Sequence, residues 1–460
     1  MHPSRKNNEH VISAYLSLNM SEHKTARNIV NALLYSIENL TAILFTIVSA
    51  SLIARHFGPE IFSRYSVVQS VSTVLLVIVT LGLDQFVIRE MVRNIHDKEY
   101  VTSVQVGFFL GWLLYVFLIL LYYLLYKDFA RDLFLIVNVV ISIFFLKVIF
   151  IRSYLQAINR PRSIAIASVV SRIISVLFLF GGAYFDFSFN AMMMYLPIQS
   201  FILILVMTLM QPDYFRLINI RYFNMTRLVD MTREAFPVFI STLLYFFYSQ
   251  SDVLIMAKLL DPATVGTYSA AIRIIPQAAF IGQVLVATFY TGMDKELLRD
   301  HGTFLLHIRS LLAIHFMVGI VMSACVFFSS GLIVHLLYGA RYAQSAPVLA
   351  VSCWAWVFIL PGALYGRLLI MLGYVKYALI KMLIVAPVVL VMNYWVTQQF
   401  GMIGCAVVCV LSYLLVDFVI YFLFKDTREL AKIGMLAIAD IIFKPRQTFS
   451  VAVSIFNHRH

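Results

Sequence analysis

The chain has 460 residues, of which 61% are hydrophobic and 13% charged, and it carries a formal charge of +12. Ordinary soluble domains have roughly 25% charged and 45–50% apolar residues, so this much apolar surface cannot be hidden inside one soluble fold. The excess of Lys and Arg lies in short connections and not in a free-standing basic domain, which argues against nucleic acid as a partner.

Hydrophobic stretches of about twenty residues, enough to cross a hydrocarbon core of about 30 Å, recur along nearly the whole chain. They predict an all-α polytopic membrane protein with twelve spans, at 28–54, 63–90, 102–126, 131–157, 163–185, 188–210, 234–259, 265–292, 304–328, 345–368, 375–397 and 403–424. The expected organisation is a cytoplasmic N-terminal segment 1–27, a six-helix lobe 28–210, a cytoplasmic linker 211–233, a second six-helix lobe 234–424 and a tail 425–460. The first 24 residues are polar and the stretch after them shows no small-residue cleavage pattern, so it is expected to remain as the first span. In the tail, the apolar run from Ile433 to Phe443 is too short to cross. It predicts an interfacial amphipathic helix ending in a disordered tip.

With the N-terminus placed inside, 26 of the 35 Lys and Arg residues fall on the inner side, six on the outer, and Lys147, Arg172 and Arg273 within spans. That bias predicts cytoplasmic termini. An internal repeat supports the even division: Ala54, Arg55, Pro59, Tyr65 and Ser66 recur 203 residues later as Ala257, Lys258, Pro262, Tyr268 and Ser269. Six spans per half give both copies the same orientation, related by a pseudo-two-fold axis along the membrane normal.

No Gly-Lys pair exists, so there is no Walker A loop, and neither a His-Glu-x-x-His metal motif nor a nucleophile elbow occurs. No cofactor or metal is expected, and Cys325, Cys353, Cys405 and Cys409 read as small core residues. A membrane glycan polymerase or ligase would gather catalytic charges on a sizeable outer loop, and the outer loops here are short. What needs explaining is charge inside the bilayer, where each ionisable group costs about 2.5–3.5 kcal/mol unless it faces a partner or a wet cavity.

Arg273, Lys147 and Arg172 are candidates for the path of an anionic substrate, with pairing to Glu38 or Asp84 as the structural alternative for the latter two cations. Pro276 cannot donate to the carbonyl of Ile272 and should kink the eighth span beside Arg273. Asp252, Glu38 and Asp84 are candidates for ion coupling or a polar network in the lumen. Glu38 begins a stripe with Ala42, Phe45 and Ser49 that the repeat offset maps onto Ser241, Tyr245, Tyr248 and Asp252. His315 reads as a hydrogen-bonded core histidine.

Three stretches resemble the polysaccharide flippases, the Wzx-type O-antigen translocases of the superfamily that also holds multidrug exporters and lipid II flippases. They are Ile53 to Glu60 with Tyr65, Ser66, Leu81 to Gln85, Arg89 and Glu90; Asp252, Met256 and Val265 to Arg273; and Leu337 to Gly339 with Tyr342 and Ala346 to Leu349. Lys258 and Asp261 stand where the family has glycines, a departure that bears on the shape of that loop. The resemblance implies a MATE-like fold in a bacterial inner membrane. It also implies translocation of an undecaprenyl-diphosphate-linked oligosaccharide from the cytoplasmic to the periplasmic leaflet by alternating access. Membrane lipids, a polysaccharide polymerase and chain-length proteins are the further partners it implies. A multidrug or cation antiporter of the same fold is the alternative, and it would favour an acidic lumen without three deep cations.

Overall fold

The computed structural model describes residues 5–80, 82–93, 97–125, 129–289 and 301–444, and every regular element among them is helical. In hydrocarbon each backbone N–H and C=O must be satisfied within its own segment, so apolar stretches of this length have no alternative to the helix. Among the described residues, ten helices are long and apolar enough to cross a membrane. Two of these, Arg5–Thr80 and Lys376–Asp417, are each interrupted at one glycine, Gly58 (φ 77°) and Gly401 (φ 57°), where the chain turns back. Dividing both gives twelve apolar segments, numbered here in chain order as spans 1 to 12.

The Gly58 turn and its repeat equivalent are built differently. Gly58 has φ 77° and ψ 176°, a region open essentially to glycine alone. Its counterpart Asp261 is extended and caps the helix Pro262–Ile272 through Thr264, accepting from the backbone N–H at 2.9 Å and the hydroxyl at 2.8 Å. Those bonds hold the exposed Asp261 carboxyl below the usual carboxylate range. The departure from the family's glycines is thus accommodated by exchanging a glycine turn for a helix cap.

Several span ends differ from the sequence reading. Span 2 stops at Thr80 instead of reaching residue 90, because Gly82 (φ 73°) turns the chain where a Cβ would lie within 2.6–2.8 Å of Phe239. Span 7 starts at Met225, earlier than residue 234, since Asn224 accepts from the Arg227 N–H at 3.2 Å and caps the helix there. Span 9 extends to Tyr338 rather than 328. Span 8 is broken as Pro276 predicts: one helix ends at Ile272, a tight 3-10 turn spans Ile275–Ala278, and a second helix runs Ala279–Phe289.

After the last span the helix Arg428–Phe443 packs back on the second half instead of lying free. Tyr365 donates to the Leu430 carbonyl, a Cβ at Gly434 would meet the Tyr365 hydroxyl at 2.1 Å, and Arg309 forks onto the Asp440 carboxylate. The expected disordered tip lies outside the described residues.

The two halves meet at both ends. On the Gly58 side, a Cβ at Gly266 would lie 1.8 Å from the Pro59 carbonyl oxygen, so spans 2 and 8 touch backbone to backbone there. Ser51 donates to the Leu337 carbonyl and Arg55 to those of His335, Leu336 and Leu337, at the carbonyl-rich end of span 9. Tyr342 donates to the Ala54 carbonyl at 3.2 Å. On the opposite side, Arg227 of span 7 pairs with Asp97 at 2.8 Å and Glu99 at 3.6 Å ahead of span 3, and Asn224 donates to Glu99 at 3.0 Å.

Candidate functional site

Between the halves, lined by spans 1, 2, 7 and 8, lies a cavity of about 350 Å³. The first half contributes Thr46, Ser66, Gln69, Ser70 and Thr73, and the second Ser249, Gln250, Asp252, Ser269, Arg273 and Gln277. Hydroxyls and amides at helical spacing make its walls polar, and one cation and one carboxylate supply its charge.

Arg273 reaches this cavity because the helix ends beside it at Ile272 and the chain tightens before Pro276. Its guanidinium lies over the rings of Tyr65 at 4.8 Å and Phe62 at 5.3 Å, and its nearest polar partners are the Tyr65 and Ser66 hydroxyls at 3.5 and 3.4 Å. Tyr65 in turn shares a 2.7 Å hydrogen bond with Tyr195. Among the described residues no carboxylate comes within ion-pair distance of Arg273. Aromatic faces and long hydroxyl contacts orient a guanidinium without neutralising it, leaving its forked donors for an anion.

Asp252 stands across the cavity. The Tyr268 hydroxyl donates to Oδ2 at 2.6 Å and the Val253 N–H to Oδ1 at 2.8 Å. Tyr65 and Tyr268 are the repeat-related pair: the first-half tyrosine contacts the cation and its second-half equivalent the carboxylate, both charges belonging to the second half. Asp252 also faces a second chamber of about 50 Å³ inside the second half, walled by Tyr248, Asn393, Cys409, Ser412 and Tyr413. There Asn393 donates to Ser251 at 2.8 Å, while its buried Oδ1 accepts no hydrogen bond from any described residue. Asp252 therefore forms part of the wall of both compartments.

The other singled-out residues lie elsewhere. Glu38, 3% exposed, receives both Arg152 nitrogens at 3.1 Å and Arg172 at 3.2 Å, and Arg172 also donates to the Glu38 carbonyl and Thr41 at 2.6 Å. Arg172 is thus tied into an ion triad within the first half, apart from the inter-lobe cavity. Lys147 sits half-buried in a π-helical turn of span 4, Phe144–Val148, and is not among the cavity residues. The side chain of Asp84 lies outside the described residues. Lys381, counted by sequence with the inner loops, is buried in span 11 and contacts Asp417 at 3.4 Å and Tyr421 at 3.3 Å. The role of Asn393 was not visible in sequence, since a single Asn in an apolar span carries no periodic signal. His315 is fully buried with Nδ1 2.7 Å from the Leu311 carbonyl.

The triad carries its own prediction. Removing the Glu38 charge leaves two cations around a buried amide, which costs about 3 kcal/mol or more. Glu38→Gln is expected to lower the thermal midpoint and folded yield of purified protein more than Arg152→Gln, because the Arg152 side chain is 40% exposed. Equal midpoints for Glu38→Gln and wild type would remove the triad's structural role.

A family model described as polysaccharide biosynthesis protein matches residues 29–291, more than half of the chain. The chain belongs to the polysaccharide biosynthesis protein family. The match covers spans 1 to 8 and so includes both Arg273 and Asp252. Among solved structures, this family member is similar to an inward-facing multidrug resistance MATE family transporter of the MOP superfamily (TM-score 0.64, 15% identity, covering 86% of this chain and 98% of that one). It is also similar to the lipid II flippase MurJ in an inward closed conformation (0.66, 17%, 92% and 93%) and to a Vibrio cholerae MATE transporter (0.58, 11%, 89% and 100%). These likenesses establish the MATE-like polytopic fold. No curated protein gives a significant match.

Proposed function

We propose that this protein translocates an oligosaccharide unit linked to undecaprenyl diphosphate from the cytoplasmic to the periplasmic leaflet of a bacterial inner membrane, with both termini cytoplasmic. The observation that carries the reading is Arg273, a cation in a polar inter-lobe cavity without a described carboxylate partner. A diphosphate and its sugars would lose hydration in hydrocarbon at high cost, and a polar chamber with a fixed cation lowers it. The polyprenyl tail can remain in lipid while the head passes. Family membership in polysaccharide biosynthesis and the likeness to a lipid II flippase support this class of cargo.

Alternation follows from the contacts at the two ends. The Gly58 side is held by backbone contacts and the opposite side by Arg227 and its acidic partners, so two states can exchange by breaking one set and keeping the other. Asp252, touching both chambers, is the proposed coupling group. The same carboxylate favours a second reading, a cation or multidrug antiporter, to which the MATE likeness also points. A deletion strain separates them: accumulation of lipid-linked units in the cytoplasmic leaflet with unchanged drug tolerance is the expected outcome. Drug hypersensitivity with normal surface polysaccharide would establish the exporter instead.

A further inference from the structure

A third cavity, sharing no lining residue with the other two, lies on the surface of the first half. It is a groove of about 280 Å³ between spans 1 and 5, lined by apolar side chains except for Thr41 and Arg172. Leu44 and Ile173 are 54% exposed and Leu177 63%, so the groove opens outward, and it shares no residue with the inter-lobe cavity. In a membrane such an opening faces lipid chains.

One end of this groove is cationic. Arg172 lines the groove between Val169 and Ile173, held by Glu38 and Thr41, with Arg152 on the same carboxylate. Exposed Arg160 and Arg162 begin the span 5 helix, and the preceding Asn159 bonds Asn31 at the start of span 1 at 3.1 Å. Arg162 shares a helical face with Val169, Ile173 and Val176, seven, eleven and fourteen residues on, three of the groove's own lining residues. That face runs roughly 22 Å from Arg162 to Leu177 at 1.5 Å per residue. Among the described residues, Glu38 is the one carboxylate that pairs with any of these four arginines, and it is consumed by Arg152 and Arg172.

We propose that the groove between spans 1 and 5 is a binding site for one anionic glycerophospholipid, an acyl chain lying along Leu44, Ile173 and Leu177 and the phosphate at Arg162. The apolar trough selects a chain and the cationic end selects the charge of its head. Because the groove faces away from the inter-lobe cavity, its occupant is a resident lipid and not cargo in transit.

Native mass spectrometry of the full chain, titrated with phosphatidylglycerol or phosphatidylcholine, tests this. Wild type is expected to retain the anionic lipid preferentially. Arg162→Gln should lower that retention roughly fivefold, the effect of about one cation at a membrane surface. Ile173→Trp, which fills the trough at a lipid-facing position, should lower retention of both lipids. Equal retention of the two lipids by wild type, or retention of phosphatidylglycerol unaltered in both variants, would overturn the site. Displacement of phosphatidylglycerol by equimolar undecaprenyl phosphate would also overturn it, by making the groove part of the cargo's path.

Discussion

Replacing Arg273 by Gln is expected to cut surface polysaccharide at least roughly tenfold at unchanged protein level. A hydrogen bond to a charged group contributes about 1.5–3 kcal/mol, which is a factor of about ten or more in the population of bound head group. Gln keeps a polar, hydrogen-bonding end on a shorter side chain but removes the charge and the planar stack on Tyr65 and Phe62. Arg273→Lys keeps the charge and loses the fork, so it should fall between the two. Because Arg273 has no carboxylate partner among the described residues, its removal leaves no buried anion behind and the fold should tolerate it. Normal export by Arg273→Gln would exclude it from the cargo path, and loss of protein in place of transport would assign it to packing.

The second large effect is expected at Asp252. In proteoliposomes, Asp252→Asn should abolish the dependence of flipping on an imposed proton or sodium gradient, while a slow gradient-independent rate persists. A carboxylate that alternates between wet and occluded surroundings changes its affinity for a proton or cation with each half-cycle, and an amide does not. The Val253 N–H and the Tyr268 hydroxyl donate to different oxygens of Asp252; in Asn the amide oxygen keeps the Val253 N–H and the Tyr268 hydroxyl can turn to accept from the amide nitrogen, so the substitution removes the charge at nearly constant shape. Full flipping with full gradient dependence in the variant would make Asp252 structural.

Much of the architecture is legible in the sequence because the bilayer imposes a length and a hydropathy that the chain cannot disguise. The break in span 8 was equally legible, since Pro276 removes a backbone donor at a fixed place. The span ends were not: Gly82 terminates span 2 because Phe239 of span 7 lies against it, a contact no local pattern encodes. The site divides in the same way. Arg172, Arg273 and Glu38 stand out as charges in apolar stretches, but only the packing of spans 1 and 5 shows that Glu38 engages Arg172 while Arg273 meets aromatic rings instead. Asn393 needed the fold outright, because its importance lies in standing beside Asp252.

The contrast between the two ends has a consequence for how the machine responds to its surroundings. On the Gly58 side, among the described residues, the hydrogen bonds joining the halves end on main-chain carbonyls, beside the edge-to-face contact of Phe62 with Tyr342. At the other end Arg227 faces Asp97 and Glu99 with 30–41% of each side chain exposed, where salt screens the attraction. Salt at the Arg227 end can therefore weaken one of the two sets of contacts joining the halves and so shift the balance between the two states.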